Sequence, residues 1–333
     1  MLVETNTAKL GLERVTNMER KSVLVMLAAF NGSEHIIEQI DSILNQVDVC
    51  VHVLVRDDNS QDGTVALVRN HYSEDGRVEL IESCENLGCA KSFMDLVFAA
   101  GNEFDYYAFS DQDDYWKSDK LVRAVSALEK APNDSKSVLY CCNRDEVNAD
   151  RVFLYQNVPA ENREHVKSIE YLMFVRNIAP GNSMVFSRAF LDRLRLAKDV
   201  DFPAGFYHDY WIHLVAACLE DTTVIYDLDY CGLERRITGK NLAGIDRTHR
   251  QGVRSLARRF NSYQVGSLQS MVDQLLEKYD GLIDDRNMEL LGLFEDAESL
   301  RSRIKLIRRS GEVRFDSLKG RLFSLYKLSS GIV

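Results

Sequence analysis

A mostly parallel, doubly wound α/β sheet flanked by helices, continued by a helical C-terminal extension, is the fold predicted for this 333-residue chain. Three observations predict it. Short runs rich in β-branched and aromatic residues alternate with stretches whose apolar residues repeat at helical spacing. Two of those runs end directly in acidic clusters, and the carboxyl ends of strands are where open α/β sheets bind ligands. Beyond about residue 246 only the helical spacing remains.

Residues 22–30 (SVLVMLAAF) predict a buried first strand, and Asn31-Gly32-Ser33 supplies a turn and a helix cap. Ile36, Ile37, Ile40, Ile43 and Leu44 then recur at amphipathic helical spacing. A second strand is expected over 51–55, a helix through Val65, Leu67 and Val68, and a third strand over 78–81. Asn86-Leu87-Gly88 leads into a helix over 90–100, and 106–110 form the next strand. A helix over 121–130 and a strand near 138–142 come next, then a less regular stretch to about 178. Pro180-Gly181-Asn182-Ser183 reads as a tight loop entering a strand. Tyr207-His208-Asp209-Tyr210-Trp211 opens an apolar helix, and 223–226 form a last short strand. In the extension Val265, Leu268, Val272, Leu275 and Tyr279 keep helical register. The expected organisation is a loose lead-in over 1–20, one α/β domain over 21–245 and a basic helical extension over 246–333.

The chain is long enough for a sizeable core, and 45% apolar with 28% charged residues is ordinary for a folded protein. A formal net charge of −10 argues against general nucleic-acid binding. The average hides an asymmetry: residues 301–327 carry nine Lys/Arg against Glu312 and Asp316, about +7, which leaves about −17 elsewhere. Ile304, Ile307, Leu322, Phe323 and Leu325 interleave with those cations, as in a helix lying on anionic lipid; the plainer reading is an appendage packed on the domain. Seven cysteines, with no C-x-x-C pair and with Cys141 and Cys142 adjacent, fit reduced thiols. The N-terminus is polar and no apolar run reaches the ~20 residues that span a bilayer, so a cytoplasmic location is expected, either free or peripheral to the membrane's inner face.

The chemistry lies in two acidic segments. Arg56-Asp57-Asp58-Asn59-Ser60-Gln61-Asp62-Gly63-Thr64 follows the second strand, and Ser110-Asp111-Gln112-Asp113-Asp114-Tyr115-Trp116 follows the fourth. Carboxylates gathered at one sheet edge repel unless a cation or a pKa shift relieves them. A divalent cation holding a diphosphate is the economical explanation, because hard cations prefer oxygen ligands. On an extended segment Asp111 and Asp113 share a face. The first cluster also looks like the start of an EF-hand loop, but its twelfth residue from Asp58 is Arg69 rather than Glu. A capped turn accounts for Ser60, Asp62 and Gly63 but leaves two consecutive strand-end acids without a purpose.

In this order and separation, the two segments resemble the inverting nucleotide-sugar glycosyltransferases of family 2, which have the GT-A fold; the likeness covers roughly residues 22–245. Asp57-Asp58-Asn59-Ser60 with Asp62 and Thr64 matches that family's D-D-x-S-x-D-x-T pattern, Asn86-Leu87-Gly88 its N-x-G turn, and Asp111-Gln112-Asp113 its D-x-D site. The longer form, residues 110–116 with Lys120, is similar to a bacterial subgroup of rhamnosyltransferase-like polysaccharide enzymes, in which Gly181-Asn182 and His208-Asp209-x-Trp211 also have counterparts.

The resemblance implies a nucleotide half over 21–115 and an acceptor half over 116–245. It implies nucleotide contacts from Ala29, Phe30, Asn31, Asp57, Asp58, Asp111 and Arg236, and Mg2+ or Mn2+ on Asp113 and Asp111. His208 is a third metal ligand, a diphosphate contact or a buried donor. Asp209 is the general base, with helix capping as its plainer role; Asn182, Tyr210 and Trp211 are assigned to the acceptor, Trp211 alternatively to the core. The implied reaction moves a sugar, with rhamnose from its dTDP donor leading, to a cell-surface polysaccharide or lipid-linked acceptor. Transfer of another hexose from a UDP donor is the alternative. A sugar nucleotidyltransferase also uses paired acids, but it usually needs a Gly-rich loop with a cation, and Ala28 to Ser33 offers one Gly and none. The chain departs from the subgroup once: Arg236-Ile237-Thr238-Gly239-Lys240-Asn241 keeps Arg, Gly and Asn of R-x-H-G-x-N but has Thr for His.

Overall fold

The computed structural model describes residues 20–163, 166–203, 206–237, 267–296 and 298–314, together with 321 and 325. The expected lead-in, except residue 20, lies outside these residues, as do Thr238 to Asn241, Val265, Leu322 and Phe323.

The first half alternates as expected: β1 (Ser22–Ala29), α1 (Ile36–Leu44), β2 (Cys50–Asp57), α2 (Thr64–His71), β3 (Val78–Glu82), α3 (Cys89–Ala99) and β4 (Tyr106–Ser110). Strands β3, β2, β1 and β4 pair in that order, all parallel. Period-two burial divides β1 between two layers. Val23, Val25 and Leu27 pack with Ile36, Ile40 and Ile43 of α1, whereas Leu24 and Met26 pack with Phe93, Leu96 and Val97 of α3.

The second half is mixed. It holds β5 (Asp114–Trp116), α4 (Lys120–Leu128), β6 (Ser137–Val147), β7 (Phe153–Gln156), α5 (Ile169–Phe174), β8 (Met184–Ser187), α6 (Arg188–Leu194), α7 (His208–Cys218) and β9 (Thr222–Arg236). Strand β8 joins β4 to β6 antiparallel on both sides, β9 runs parallel to β6, and β5 closes antiparallel on β9. Strand β7 takes the remaining stretch of the β6 edge. The strand expected near 138–142 runs to Val147 and the one expected over 223–226 runs to Arg236, both through register shifts.

This order forces the sheet to curl. Strands β8, β6 and β9 lie between β4 and β5. In a flat sheet four interstrand steps separate those two by about 19 Å. The chain from Ser110 to Asp114 spans at most about 14 Å. The sheet therefore wraps around residues 111–113, which bridge the curl.

The C-terminal helices α8 (Ser267–Lys278), α9 (Asp285–Glu295) and α10 (Leu300–Gly311) have no core of their own. Leu268, Val272, Leu275, Tyr279, Leu291, Phe294 and Leu306 join the same buried cluster as α3, α6 and α7. Leu275 is fully buried there. Its replacement by Ala removes packed methyl groups and is expected to lower unfolding free energy by about 2–5 kcal/mol. Chemical denaturation of L275A should show one cooperative transition shifted as a whole; a second, unshifted transition would make the extension an independent unit.

Candidate active site

The loop after β1 and the loop after β2 are locked to each other by short polar links. The Asp58 amide donates to the Ala29 carbonyl at 2.8 Å, the Asn31 amide to Ser60 Oγ at 2.8 Å, and the Gln61 amide to Asn31 Oδ1 at 2.8 Å. Asn31 and Asn59 adopt positive φ (50° and 66°), a region that Asn enters more readily than most residues. Gln112 reaches across from the second acidic loop: its carboxamide accepts from the Phe30 amide at 2.8 Å and donates to the Phe30 carbonyl at 2.9 Å. Gly32 leaves room for that carboxamide, since a Cβ there would sit 2.2 Å from Gln112 Oε1. Phe30 itself is half exposed at the rim.

Asp57 and Asp58 diverge in role. Both are buried. Asp57 Oδ2 accepts from the Ser60 amide at 2.8 Å, and its Oδ1 accepts no hydrogen bond among the described residues. Asp58 accepts from Arg56 at 2.7 Å and from the Leu87 and Gly88 amides at 2.9 and 2.8 Å. Burial alone would raise the Asp58 carboxyl, but Arg56, the two amides and Ser92 together hold it below its ordinary value. Arg56 also pairs with Asp95 at 3.1 Å. Asp58 is therefore the clamp that binds the N-x-G turn and α3 to β2.

The second loop is braced by cations from strands distant in sequence. Register places Asp114 (β5), Arg235 (β9) and Glu146 (β6) in one row across three strands, where cross-strand neighbours interact. Arg235 reaches Glu146 at 3.1 Å and Arg144 reaches it at 2.9 Å. Burial opposes the Glu146 charge, but the two guanidinium groups win and its pKa falls. Asn182, 1% exposed, donates from one amide nitrogen to Asp111 Oδ2 at 3.0 Å and Asp114 Oδ2 at 2.6 Å. Its Oδ1 accepts from Arg144 at 3.1 Å. Lys120, fully buried, lies 3.0 Å over the Trp116 ring and donates to the Asn182 carbonyl at 2.7 Å. Burial draws the Lys120 pKa down to about 7, against the pull of Asp114 and Asp111.

Even so braced, the three acids remain raised. Burial raises Asp111 despite Arg235, Arg144, Asn182 and Lys120. Burial and the Asp111 charge push Asp113 up to about 6, and Asp114 is driven well above its ordinary range by burial, Asp111 and Asp113. Asp114 Oδ1 is buried without a hydrogen-bond partner among the described residues. An excess of carboxylate at one point fits a cation. Among the described residues no three His, Cys, Asp or Glu side chains form a metal cage. One or two carboxylates completed by substrate phosphates and water are the usual holding for Mg2+. Asp113 and Asp111 fit that holding.

Three residues with more than one expected role have defined surroundings. His208 stacks on Phe93 with ring centroids 3.8 Å apart and lies edge-on to Phe109. Burial takes its pKa down to about 3 and keeps the imidazole neutral, and among the described residues neither ring nitrogen has a hydrogen-bond partner. Gly181 leaves it space, since a Cβ there would lie 2.4 Å from His208 Nε2. Trp211 is fully buried beside Tyr279, 6.1 Å between rings, so it is core and no acceptor platform. Asn182 faces Asp111 and Asp114. Asp209 and Tyr210 are half-buried; the Tyr210 amide donates to Asp209 Oδ1 at 2.7 Å, and Tyr210 lies edge-on to Phe206 at 4.6 Å. Burial pushes Asp209 up to about 6, opposed by the Tyr210 amide and reinforced by the charge of Asp111, which places it in the same charged neighbourhood. Arg236 donates to Glu38 at 2.6 Å and to the Asp113 carbonyl at 3.4 Å. Arg144, Glu146 and Arg235 escaped the sequence reading. The signal present was Arg144-x-Glu146, opposite charges two apart and so on one face at the end of an apolar run.

The model of glycosyl transferase family 2 matches residues 24–194, more than half the chain, and the chain belongs to that family. It is 35% identical over 105 residues to dTDP-rhamnosyl transferase RfbG of Shigella flexneri, 31% of this chain and 36% of that protein. It is 28% identical over 107 residues to the UDP-Glc:alpha-D-GlcNAc-diphosphoundecaprenol beta-1,3-glucosyltransferase WfaP of Escherichia coli, 32% of this chain and 41% of that protein. The matched segment thus spans about two fifths or less of these relatives. Among solved structures, S. aureus TarS with UDP-GlcNAc aligns at TM-score 0.55 and 15% identity over 94% of this chain and 82% of that one. Mannosyltransferase PcManGT from Pyrobaculum calidifontis, with GDP-Man and Mn2+, aligns at TM-score 0.52 and 18% identity over 95% and 82%. These structural alignments, at such low identity, show a shared GT-A fold and no more.

Asp113→Asn removes one of three mutually repelling carboxylates and keeps the shape. It is expected to abolish Mn2+-dependent turnover while leaving the melting temperature unchanged or higher. Full retained activity would take Asp113 out of the site.

Proposed function

We propose that this protein is a metal-dependent inverting glycosyltransferase that transfers a sugar, rhamnose from dTDP-rhamnose in the leading case, to a bacterial cell-surface polysaccharide or lipid-linked acceptor. The observation that carries the reading is the braced loop 111–114, where three neighbouring buried carboxyl groups are raised, by burial first and at Asp113 and Asp114 also by the adjacent acids, despite nearby Arg235. The local match to a dTDP-rhamnosyl transferase favours that donor; the match to a UDP-Glc glucosyltransferase supports a UDP-hexose as the second reading.

In this account the loops after β1 and β2 receive the nucleotide, with Asp57 Oδ1, the Asn31 region and Asp111 facing base and ribose. Asp58 acts through the clamp it makes with Leu87 and Gly88. Asp113 and Asp111 would hold Mg2+ or Mn2+, which would neutralise charge on the diphosphate when bound. Arg236 lies against the Asp113 carbonyl and adds a guanidinium for phosphate oxygens. Asp209 takes the proton of the acceptor hydroxyl as that oxygen bonds to the anomeric carbon and the bond to diphosphate breaks, inverting the centre. Tyr210, half-buried beside it, contacts the acceptor sugar.

A base must be unprotonated to act. Since Asp209 titrates near 6, turnover is expected to rise through about pH 6 to a plateau and fall below it. Asp209→Asn is expected to abolish transfer at every pH while leaving donor binding in place. A panel of nucleotide sugars, with and without Mn2+, tests the class: metal-dependent turnover of dTDP-rhamnose supports the leading reading and that of a UDP-hexose the second. Turnover only of a nucleoside triphosphate with a sugar phosphate would overturn both.

The basic extension supports peripheral membrane contact. Among the described residues no helix is long and apolar enough to cross a membrane. On α10, Leu306 is buried and Arg309 pairs with Glu170 and Glu289 at 3.6 and 3.4 Å, whereas Leu300, Arg301, Ile304, Lys305 and Arg308 are exposed at helical spacing. Such a mixed face suits the surface of anionic lipid. Joint replacement of Arg301, Lys305 and Arg308 by Glu is expected to release the protein from phosphatidylglycerol vesicles in a sedimentation assay; unchanged binding would remove this role.

A further inference from the structure

We propose that Asn182, set by Arg144, is a positioning residue that fixes Asp111 and Asp114 around the metal site. This goes beyond the function proposed above and rests on its metal reading.

The geometry gives Asn182 no freedom. It sits in the short 3-10 turn Gly181–Ser183, ahead of β8, and is 1% exposed. Its amide could be flipped in principle, but the neighbours settle the orientation. Arg144 has only donors, so the Asn182 oxygen faces it at 3.1 Å. Asp111 and Asp114 as carboxylates have only acceptors, so the NH2 faces them at 3.0 and 2.6 Å. The carbonyl of the same residue accepts from Lys120 at 2.7 Å, so the backbone is held as firmly as the side chain.

The consequence is geometric. One neutral nitrogen holds two carboxyl groups together, and it does so from a turn about 70 residues away in sequence. Asp111 follows β4 and Asp114 starts β5, while Asn182 precedes β8, whose neighbours are β4 and β6. Occupying Oδ2 of both acids dictates how Asp111 turns toward the cation, and through the loop it sets Asp113. An acid or a hydrophobe at 182 cannot do this: Asp would add a fourth carboxylate, and Ala would free Asp111 and Asp114. Residues that orient metal-binding carboxylates from behind typically change metal affinity by roughly 10–100-fold when removed.

The experiment is titration of the full chain with Mn2+ alone, with the free ion read by electron paramagnetic resonance and thermal unfolding run beside it. Asn182→Ala is expected to raise the Kd for Mn2+ by roughly 10-fold or more in a protein that is still folded. Arg144→Met, which leaves the amide in place but unset, is expected to raise it in the same direction by less, and decides the matter if N182A does not fold. A merely structural role would lower the melting temperature of the variants and leave Kd alone. D113N serves as marker. If D113N loses Mn2+ while N182A and R144M bind it as wild type does, the positioning role is overturned and the metal reading stands. If the wild-type chain binds no Mn2+, the metal reading falls and the positioning role falls with it.

Discussion

The rest of the structure depends on burying Asp111, Asp113 and Asp114 on the few residues that bridge the curl of the sheet. Uncompensated, three carboxylates at such a point would be far too costly to bury. The curl brings the compensation. It carries β9 and β6 around to the loop, and with them Arg235 opposite Asp114, Arg144 behind Asn182, and Glu146 between the two arginines. Lys120, on the first turn of the helix after β5, supplies the cation from below. The closing strand exists where it does because the loop is too short to let β4 and β5 lie apart.

Compensation stops short of neutrality, and that shortfall is the link from fold to function. A fully paired loop would be inert structure; a bare one would not fold around its charges. The frame stabilises the acids in place yet leaves Asp113 and Asp114 shifted upward by burial and by their acidic neighbours. The first acidic cluster solves the same problem differently, because Arg56, two backbone amides and Ser92 satisfy Asp58 completely and lower its pKa. Two clusters that look alike in sequence thus separate into a rigid clamp and a charged site.

Much of this was legible. The apolar runs that become β1 to β4 are short, β-branched and bounded by turns, and α1 has a clear amphipathic stripe, so local chemistry alone specifies them. Strand β5 was not legible, because its three residues, Asp114 to Trp116, have no strand pattern of their own and are strands only by pairing with β9. The reach of β6 and β9 was hidden for the same reason: their outer ends pass through register shifts that depend on the partner. Both acidic motifs were visible, but the division of labour within them was not. Helix α7 shows the limit most plainly. Eight of its residues are buried, including His208, Trp211 and His213, so no face is marked as polar and its two most chemically suggestive side chains turn into the core. The cations that brace the acids come from strands about 90 residues apart, a pairing that no local pattern announces.

The central claim is that the braced loop is a divalent-cation site. Diffraction at the manganese edge from crystals of the full chain soaked with Mn2+ and a nucleoside diphosphate tests it most directly. The account predicts one anomalous peak within coordinating distance of Asp113, with Asp111 beside it and phosphate oxygens completing the shell. A well-ordered diphosphate with no peak at that loop, or a peak held by other residues, would contradict it.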